Sequence, residues 1–454
     1  MEAAKRLAEF IVNTGCNDLS AEDIHSFKRA FLDYLCVSIT GSQVEISKCV
    51  REYFETIDQN KKSAVIGTSL RLSPLNAAFV NGTSCHALDF DDGYTKGSVH
   101  PASSCFPSAL AAAEDREASP REFMLAVIIA YDVALRIAGN VHPYSANRGF
   151  HNTATAGVFG AAAGVSRLLK LNVDQTINAL GAAGSFSGGL REFLAEGDIG
   201  GEIKRIHPAK AARDGLLSAE LALRGITAPA TILDGKYGFF KSFAGIEFDP
   251  DNFFDGIGKT FEINNCYFKP YPACRHLHGT IEAIQILKKE FAIKPEEVEK
   301  IKTELYAVGV HGHDYTQCEA LIGAQMNHPC VAALAVFYDD VTLQNLKFGF
   351  TPEVKEMLGK IEVAVSEECE QLYPKQRPTV VTITKKDGTE YKKKILEPKG
   401  EVENPLTDDE LTEKFYSNCE PVIGEQKCKR LVGSVWQFEE LNSLNEFFNW
   451  ADYQ

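Results

Sequence analysis

One change of texture constrains this chain more than any other feature. Apolar residues recur at helical spacing up to about residue 260, alternate as in strands to about residue 400, and then return to helical spacing. In the first stretch Ser20 precedes Asp23 as a helix-start signal, and Ile24, Phe27, Phe31 and Leu35 follow on one face. Ser73-Pro74 opens another helix through Ala77, Ala78 and Val80. Further Ala/Gly-rich helices are expected at 107–113, 122–138 and 153–169, where Ala156, Gly157, Gly160 and Ala161 let neighbours approach closely. In the middle stretch Lys300–Val310, Ile361–Ser366, Thr379–Thr384 and Tyr391–Ile395 read as strands. Asp387-Gly388 between the last two is a hairpin signal. Helical stretches at 279–291 and 330–338 interrupt them. Thr407 and Glu410 then form a capping box. The expected fold is therefore multidomain. An all-α helical domain is built from 1–264 and completed by 401–454, with an α+β domain inserted at 265–400.

Charge and cysteine usage narrow the function classes. With 47 Lys and Arg against 62 Asp and Glu, the net charge is 47 − 62 = −15. That balance argues against nucleic-acid partners and anionic membrane surfaces, which need a basic footprint. It leaves room for an anionic substrate in a local basic pocket. The longest apolar run, Phe123–Ala134, carries Tyr131 and Asp132 and reads as a buried helix rather than a membrane span. Met1–Thr14 reads as an amphipathic helix with Leu7, Phe10 and Ile11 on one face, without the pattern of a signal peptide. The 12 cysteines are scattered and form no C-x-x-C pair, which weakens zinc and iron–sulfur readings. They are expected to be mostly reduced and buried, in a cytoplasmic protein.

Four segments concentrate polar side chains where packing alone would not ask for them. The first runs from His86 through Asp89, Asp91, Asp92, Tyr94, Lys96 and Ser98 to His100-Pro101. Its carboxylates are not spaced like a calcium loop, but beside Lys and His they can fix the protonation of those bases. The second holds Tyr144, Asn147, Arg148 and His151 before an Ala-rich helix. The third holds Glu192 and Glu196, followed by Lys204, His207, Lys210 and Arg213 on roughly one helical face. The fourth is Lys269-Pro270-Tyr271-Pro272, leading to Cys274, Arg275, His276 and His278. Two prolines there fix an extended approach to a helix N-terminus, a position that favours anions. Together the segments supply cations for two or three carboxylates and a proton donor and acceptor. The chain has no serine nucleophile elbow, no H-E-x-x-H and no Walker loop.

These segments resemble the MmgE/PrpD family. The stretches that carry the resemblance are NGTSCHALDFDD with VHP, RGFHNTATAGVFGAAAG, REFLAEGD with KRIHPAKAARDGLLSAELALRG, and FKPYPACRHLHG, joined by the Cys419–Trp436 stretch. The resemblance implies a helical domain with a smaller lid domain, a homodimer, an active site between the domains, and no metal or organic cofactor. It also implies a small polycarboxylate as substrate. Residue by residue, it assigns catalytic positions to Asp89, His100, His151, Lys204 and Lys269. The epimerase branch of the family adds Lys96 and Tyr144 as bases. Arg148, His207, Arg275 and His276 are expected to bind substrate. This chain departs from the dehydratase and decarboxylase branches at Gly93, where they commonly have Thr, and at Cys330, where they commonly have Tyr.

The expected chemistry is loss or gain of a proton next to a carboxylate. A dehydratase-type elimination like that of 2-methylcitrate stands first. Epimerisation of a dicarboxylate such as iminodisuccinate stands second, on Lys96 and Tyr144, and decarboxylation of cis-aconitate third. The rival from another class is a non-catalytic relative that only binds a polycarboxylate.

Overall fold

A computed structural model of the chain describes residues 2–194, 201–316 and 318–450. Glu196 of the third polar segment lies outside the described residues. The chain divides into two compact units. The first comprises Met1–Arg191, Arg205–Phe268 and Thr407–Gln454, and the second Glu192–Lys204 and Lys269–Leu406. Glu192 and Lys204, which a helical reading of 1–264 keeps with the first unit, therefore fall in the second.

The first unit is helical because its start signals and its apolar faces agree. The Ser20 hydroxyl accepts the Asp23 N–H at 3.2 Å and the Asp23 carboxylate accepts the Ser20 N–H at 2.8 Å, opening the helix Ala21–Gly41. That helix sends Phe27, Phe31 and Tyr34 into an aromatic core. Tyr34 stacks on Phe106 at 4.7 Å, Phe27 meets Phe438 at 4.9 Å and Phe31 meets Phe447 at 4.8 Å. Phe438 and Phe447 lie in short turns after the helices Asp408–Ile423 and Glu425–Trp436, so this later stretch of the chain packs on helix Ala21–Gly41. Helix Pro120–Val141 is long and apolar enough to cross a membrane, yet 89% of its apolar window is buried in the protein. It carries a buried Asp132–Arg136 ion pair of 2.7 Å, whose guanidinium also donates to the Asp255 carbonyl at 2.6 Å.

Two details depart from the helical reading of this unit. A small antiparallel ribbon joins β1 (Ser63–Ala64) to β2 (Arg71–Leu72). Strands of two residues are too short to show an alternating pattern. The helix expected over 153–169 is broken at Ala156 into Asn152–Thr155 and Gly157–Leu168. Close packing drives the second piece: a Cβ on Gly160 would lie 2.5 Å from the Ala130 carbonyl oxygen of the neighbouring helix.

The second unit holds a four-stranded mixed sheet in the order β4-β3-β5-β6, formed by β3 (Val298–Leu305), β4 (Ile361–Val365), β5 (Thr379–Lys385) and β6 (Glu390–Ile395). β3 runs parallel to β4 and antiparallel to β5, and the Asp387-Gly388 turn closes the β5–β6 hairpin with Gly388 at φ 84°. Helices His278–Phe291 and His328–Phe337 contribute Ile281, Ile284, Val331 and Leu334 to a core shared with Val298, Ile301, Val381 and Ile383. The strand expected to run to Val310 ends at Leu305, and Ala307–Val310 is a helical turn. The Glu370 carboxylate accepts the Ala307 N–H at 2.6 Å and so starts that turn. Ten of the twelve cysteines are free, as expected of a mostly reduced set, and Cys318 and Cys330 form the one disulfide among the described residues. Their separation of 12 residues carries no local signature.

Candidate active site

The first polar segment folds into a buried acid–imidazole cluster of the first unit. Helix Pro74–His86 ends at His86, and Asp89 adopts a left-handed backbone at φ 51°. Asp is one of the few non-glycine residues that tolerates this conformation. The turn brings Asp91 back to His86, whose Nδ1 lies 2.8 Å from one carboxylate oxygen and 3.1 Å from the other. The carboxylate accepts, so His86 Nδ1 carries the proton. Both side chains are fully buried. His86 Nε2 makes no hydrogen bond among the described residues.

His100 lies beside this pair, with ring centroids 5.0 Å apart. Its Nδ1–H donates to the Asp92 carbonyl at 2.7 Å, and its backbone N–H donates to Thr153 Oγ1 at 3.2 Å. His151 caps the Asn152–Thr155 turn, 6.3 Å from the His86 ring. Its Nδ1 lies 3.1 Å from the Nδ1 of His207, so one ring donates and the other accepts a single shared proton. Four imidazoles thus gather in one unit: His86, His100, His151 and His207. Asp92 accepts from the Ala102 N–H at 3.1 Å and the Tyr131 hydroxyl at 2.9 Å. Burial first, then the charges of Asp33 and Asp91, push its carboxyl well above the usual range. His86, Asp91 and His100 could together hold a metal ion, since one ligand atom from each lies within 4.8 Å of the others.

The remaining expected residues fall into different surroundings. Asp89 is buried, and so are Lys204 at the start of helix Ile203–Leu223 and Lys269. Lys96 is exposed on a single 3-10 turn, Thr95–Gly97, and its stem lies near Gly139. Tyr144 is 52% exposed. Arg148 is exposed and donates to the Ser242 carbonyl at 3.2 Å. Arg275 is a crosslink of the second unit. It donates to Glu401 at 2.8 Å and to the Pro398 and Lys399 carbonyls at 2.9 and 3.1 Å, with His278 Nδ1 at 2.9 Å. A fork committed in this way has few donors left for a substrate carboxylate. His276 Nδ1 lies 2.6 Å from the Tyr306 hydroxyl.

Sequence reasoning gave the carboxylates of the segment containing His86 and Asp91 the task of fixing the protonation of its bases, without pairing these two residues. It missed Tyr267 entirely. Gly93 and Tyr267 exchange both backbone hydrogen bonds, at 3.1 and 2.8 Å. A Cβ on Gly93 would lie 2.3 Å from Tyr267 Cζ and from its hydroxyl. The phenol therefore occupies the volume that a side chain at 93 would need. Gly93→Thr is expected to cost ~1–3 kcal/mol through overpacking. A thermal melt would read this directly, and an unchanged midpoint would mean that the Tyr267 ring swings aside without cost.

Comparison with known proteins places the chain's sequence beside one family. Residues 5–250 match the MmgE/PrpD N-terminal domain and residues 271–438 the MmgE/PrpD C-terminal domain. The chain is 26% identical to the cis-aconitate decarboxylase-like protein oryM of Aspergillus oryzae, over 97% of this chain and 95% of that protein. It is 25% identical to the cis-aconitate decarboxylase of Mus musculus, over 94% of this chain and 89% of that one. It is also 25% identical to the cis-aconitate decarboxylase of Aspergillus terreus, over 95% and 92%.

Proposed function

The chain belongs to the MmgE/PrpD family, and on that premise we propose that it is a lyase that moves a proton next to a carboxylate of a small polycarboxylate. The observation that carries this reading is the imidazole cluster of the first unit. His100 and His151 are both engaged through Nδ1, one by the Asp92 carbonyl and one by His207. Proton exchange with substrate then runs through Nε2. Arg148 and Arg275, expected from sequence to bind substrate, instead donate to protein carbonyls and, for Arg275, to Glu401.

Decarboxylation of a cis-aconitate-type tricarboxylate stands first, on the names of the relatives. A C–C bond breaks, its electron pair stays on the carbon skeleton as carbon dioxide leaves, and an imidazolium returns a proton to that skeleton. Elimination of water from a hydroxy acid stands second. It needs a base for the Cα proton and an acid for the departing hydroxyl, and two separately anchored imidazoles meet that need.

The test is turnover of cis-aconitate, 2-methylcitrate, citrate, tartrate and iminodisuccinate followed by NMR in D2O. Carbon dioxide release with deuterium in the product is expected, and it is expected to persist in EDTA. A thermal shift with neither turnover nor exchange would make the chain a binding relative. Activity lost in EDTA and restored by one divalent metal would overturn the metal-free reading.

A further inference from the structure

The second unit gathers a thiol and two imidazoles of its own. Cys274, His276 and His313 each offer one ligand atom, and these atoms lie within 4.8 Å of one another. Cys274 and His276 are half-buried and His313 is 3% exposed, so the group has a floor and an open side. Among the three, only His276 was expected from sequence to contact a ligand. His313 stands 37 residues beyond His276 and carries no motif.

We propose that these three side chains bind one divalent cation of the zinc class. The ligand atoms are Cys274 Sγ, His276 Nε2 and His313 Nε2, with a fourth position open to water or an anion. His313 Nδ1 lies 2.5 Å from the Met326 carbonyl oxygen, which can only accept. The proton therefore sits on Nδ1, and Nε2 carries the lone pair a metal needs. His276 Nδ1 lies 2.6 Å from the Tyr306 hydroxyl. Tyr306 is itself fixed, 1% exposed and stacked on Tyr373 at 4.4 Å. Backing of the second ring nitrogen by a carbonyl or a hydroxyl is how metal-binding histidines are oriented.

Distance and donor type agree with that assignment. Zinc bonds of about 2.3 Å to sulfur and 2.0–2.1 Å to nitrogen put tetrahedral ligand atoms roughly 3.3–3.6 Å apart. Closing the observed group onto an ion takes about 1 Å of side-chain movement. One thiolate with two imidazoles selects zinc, cobalt or copper over magnesium and calcium. Binding releases the Cys274 thiol proton to solvent as the sulfur–metal bond forms. The backbone holds the thiol in place, because the Cys274 N–H donates to the Gln325 carbonyl at 2.8 Å and the Gln325 amide donates to the Pro272 carbonyl at 2.8 Å.

The experiment is a cobalt(II) titration of the full chain, followed by displacement with zinc(II). The expected result is a near-ultraviolet thiolate-to-cobalt charge-transfer band that saturates at one ion per chain and vanishes on adding zinc. Cys274→Ser keeps the shape of the side chain and should abolish the band. Cys274→Ala should do the same, and His313→Gln should weaken binding by about tenfold or more. Circular dichroism checks that each variant is folded. Binding without the band would put the ion on the sulfur-free His86, Asp91 and His100 group and overturn the proposal. A band that survives Cys274→Ser and Cys274→Ala would assign the thiolate to another cysteine and overturn it equally.

Discussion

His100→Gln and His151→Gln are each expected to lower turnover by ~10²–10⁴-fold, the range for a general acid or base, with the fold intact. Glutamine retains a hydrogen-bonding amide and the approximate length of the ring. It can therefore keep the contact with the Asp92 carbonyl at 100 or with His207 at 151 while losing the ability to titrate. Lys96→Ala and Tyr144→Phe provide the contrast. Both side chains are solvent-facing, Tyr144 at 52% exposure, and neither belongs to the imidazole cluster. If the chain is a lyase working through its histidines, those two variants should stay within a few-fold of the parent. Epimerisation needs a base and an acid on opposite faces of one carbon. A loss of ~100-fold in Lys96→Ala and Tyr144→Phe, with His100→Gln mild, would therefore move the assignment to an epimerase. Measuring kcat and KM separately on the substrate found by the NMR screen decides between these outcomes.

Local signals were legible in this sequence, and contacts between distant segments were not. Ser20 with Asp23, Thr407 with Glu410, and Asp387-Gly388 each act over four residues or fewer, and all three form the elements they signal. The switch from helical to alternating texture likewise reports a local periodicity. The site divides along the same line. The types of side chain, His and Lys beside Asp, could be read from the segments. The bond between His86 and Asp91 depends on a left-handed turn at Asp89, which spacing does not announce. Arg275 looked like an anion binder beside a helix start, but Glu401, 126 residues away, claims its guanidinium. Tyr267 gave no sign of filling the space over Gly93, since that contact needs two segments paired across more than 170 residues. The Cys318–Cys330 pair and the meeting of Cys274 with His313 are of the same kind.

Lys414→Met is expected to destabilise the first unit by ~3–5 kcal/mol, the cost of leaving one partner of a buried ion pair uncompensated. Lys414 enters from helix Asp408–Ile423, near the chain end, and its ammonium donates to Asp33 at 2.6 Å. The Asp33 side chain is fully buried and that of Lys414 is 5% exposed. The same ammonium donates to the Phe90 carbonyl at 3.0 Å and lies 3.7 Å from the centre of the Phe90 ring. Methionine fills the volume of the lysine stem, so the variant isolates the loss of charge from the loss of packing. Asp33 would then stand without its cation near Asp91 and Asp92, where carboxylates already crowd. The double variant Asp33→Asn/Lys414→Met removes both charges and should recover a large part of the loss. Denaturant melts of the parent, the two single variants and the double variant close the cycle. A Lys414→Met loss below about 1 kcal/mol would show that water already reaches Asp33. Phe90 lies between Asp89 and Asp91, so the same ammonium that ties the two ends of the chain together also fixes the backbone of the acid cluster. Residual turnover of Lys414→Met, measured well below its melting point, should therefore fall further than a melt alone accounts for.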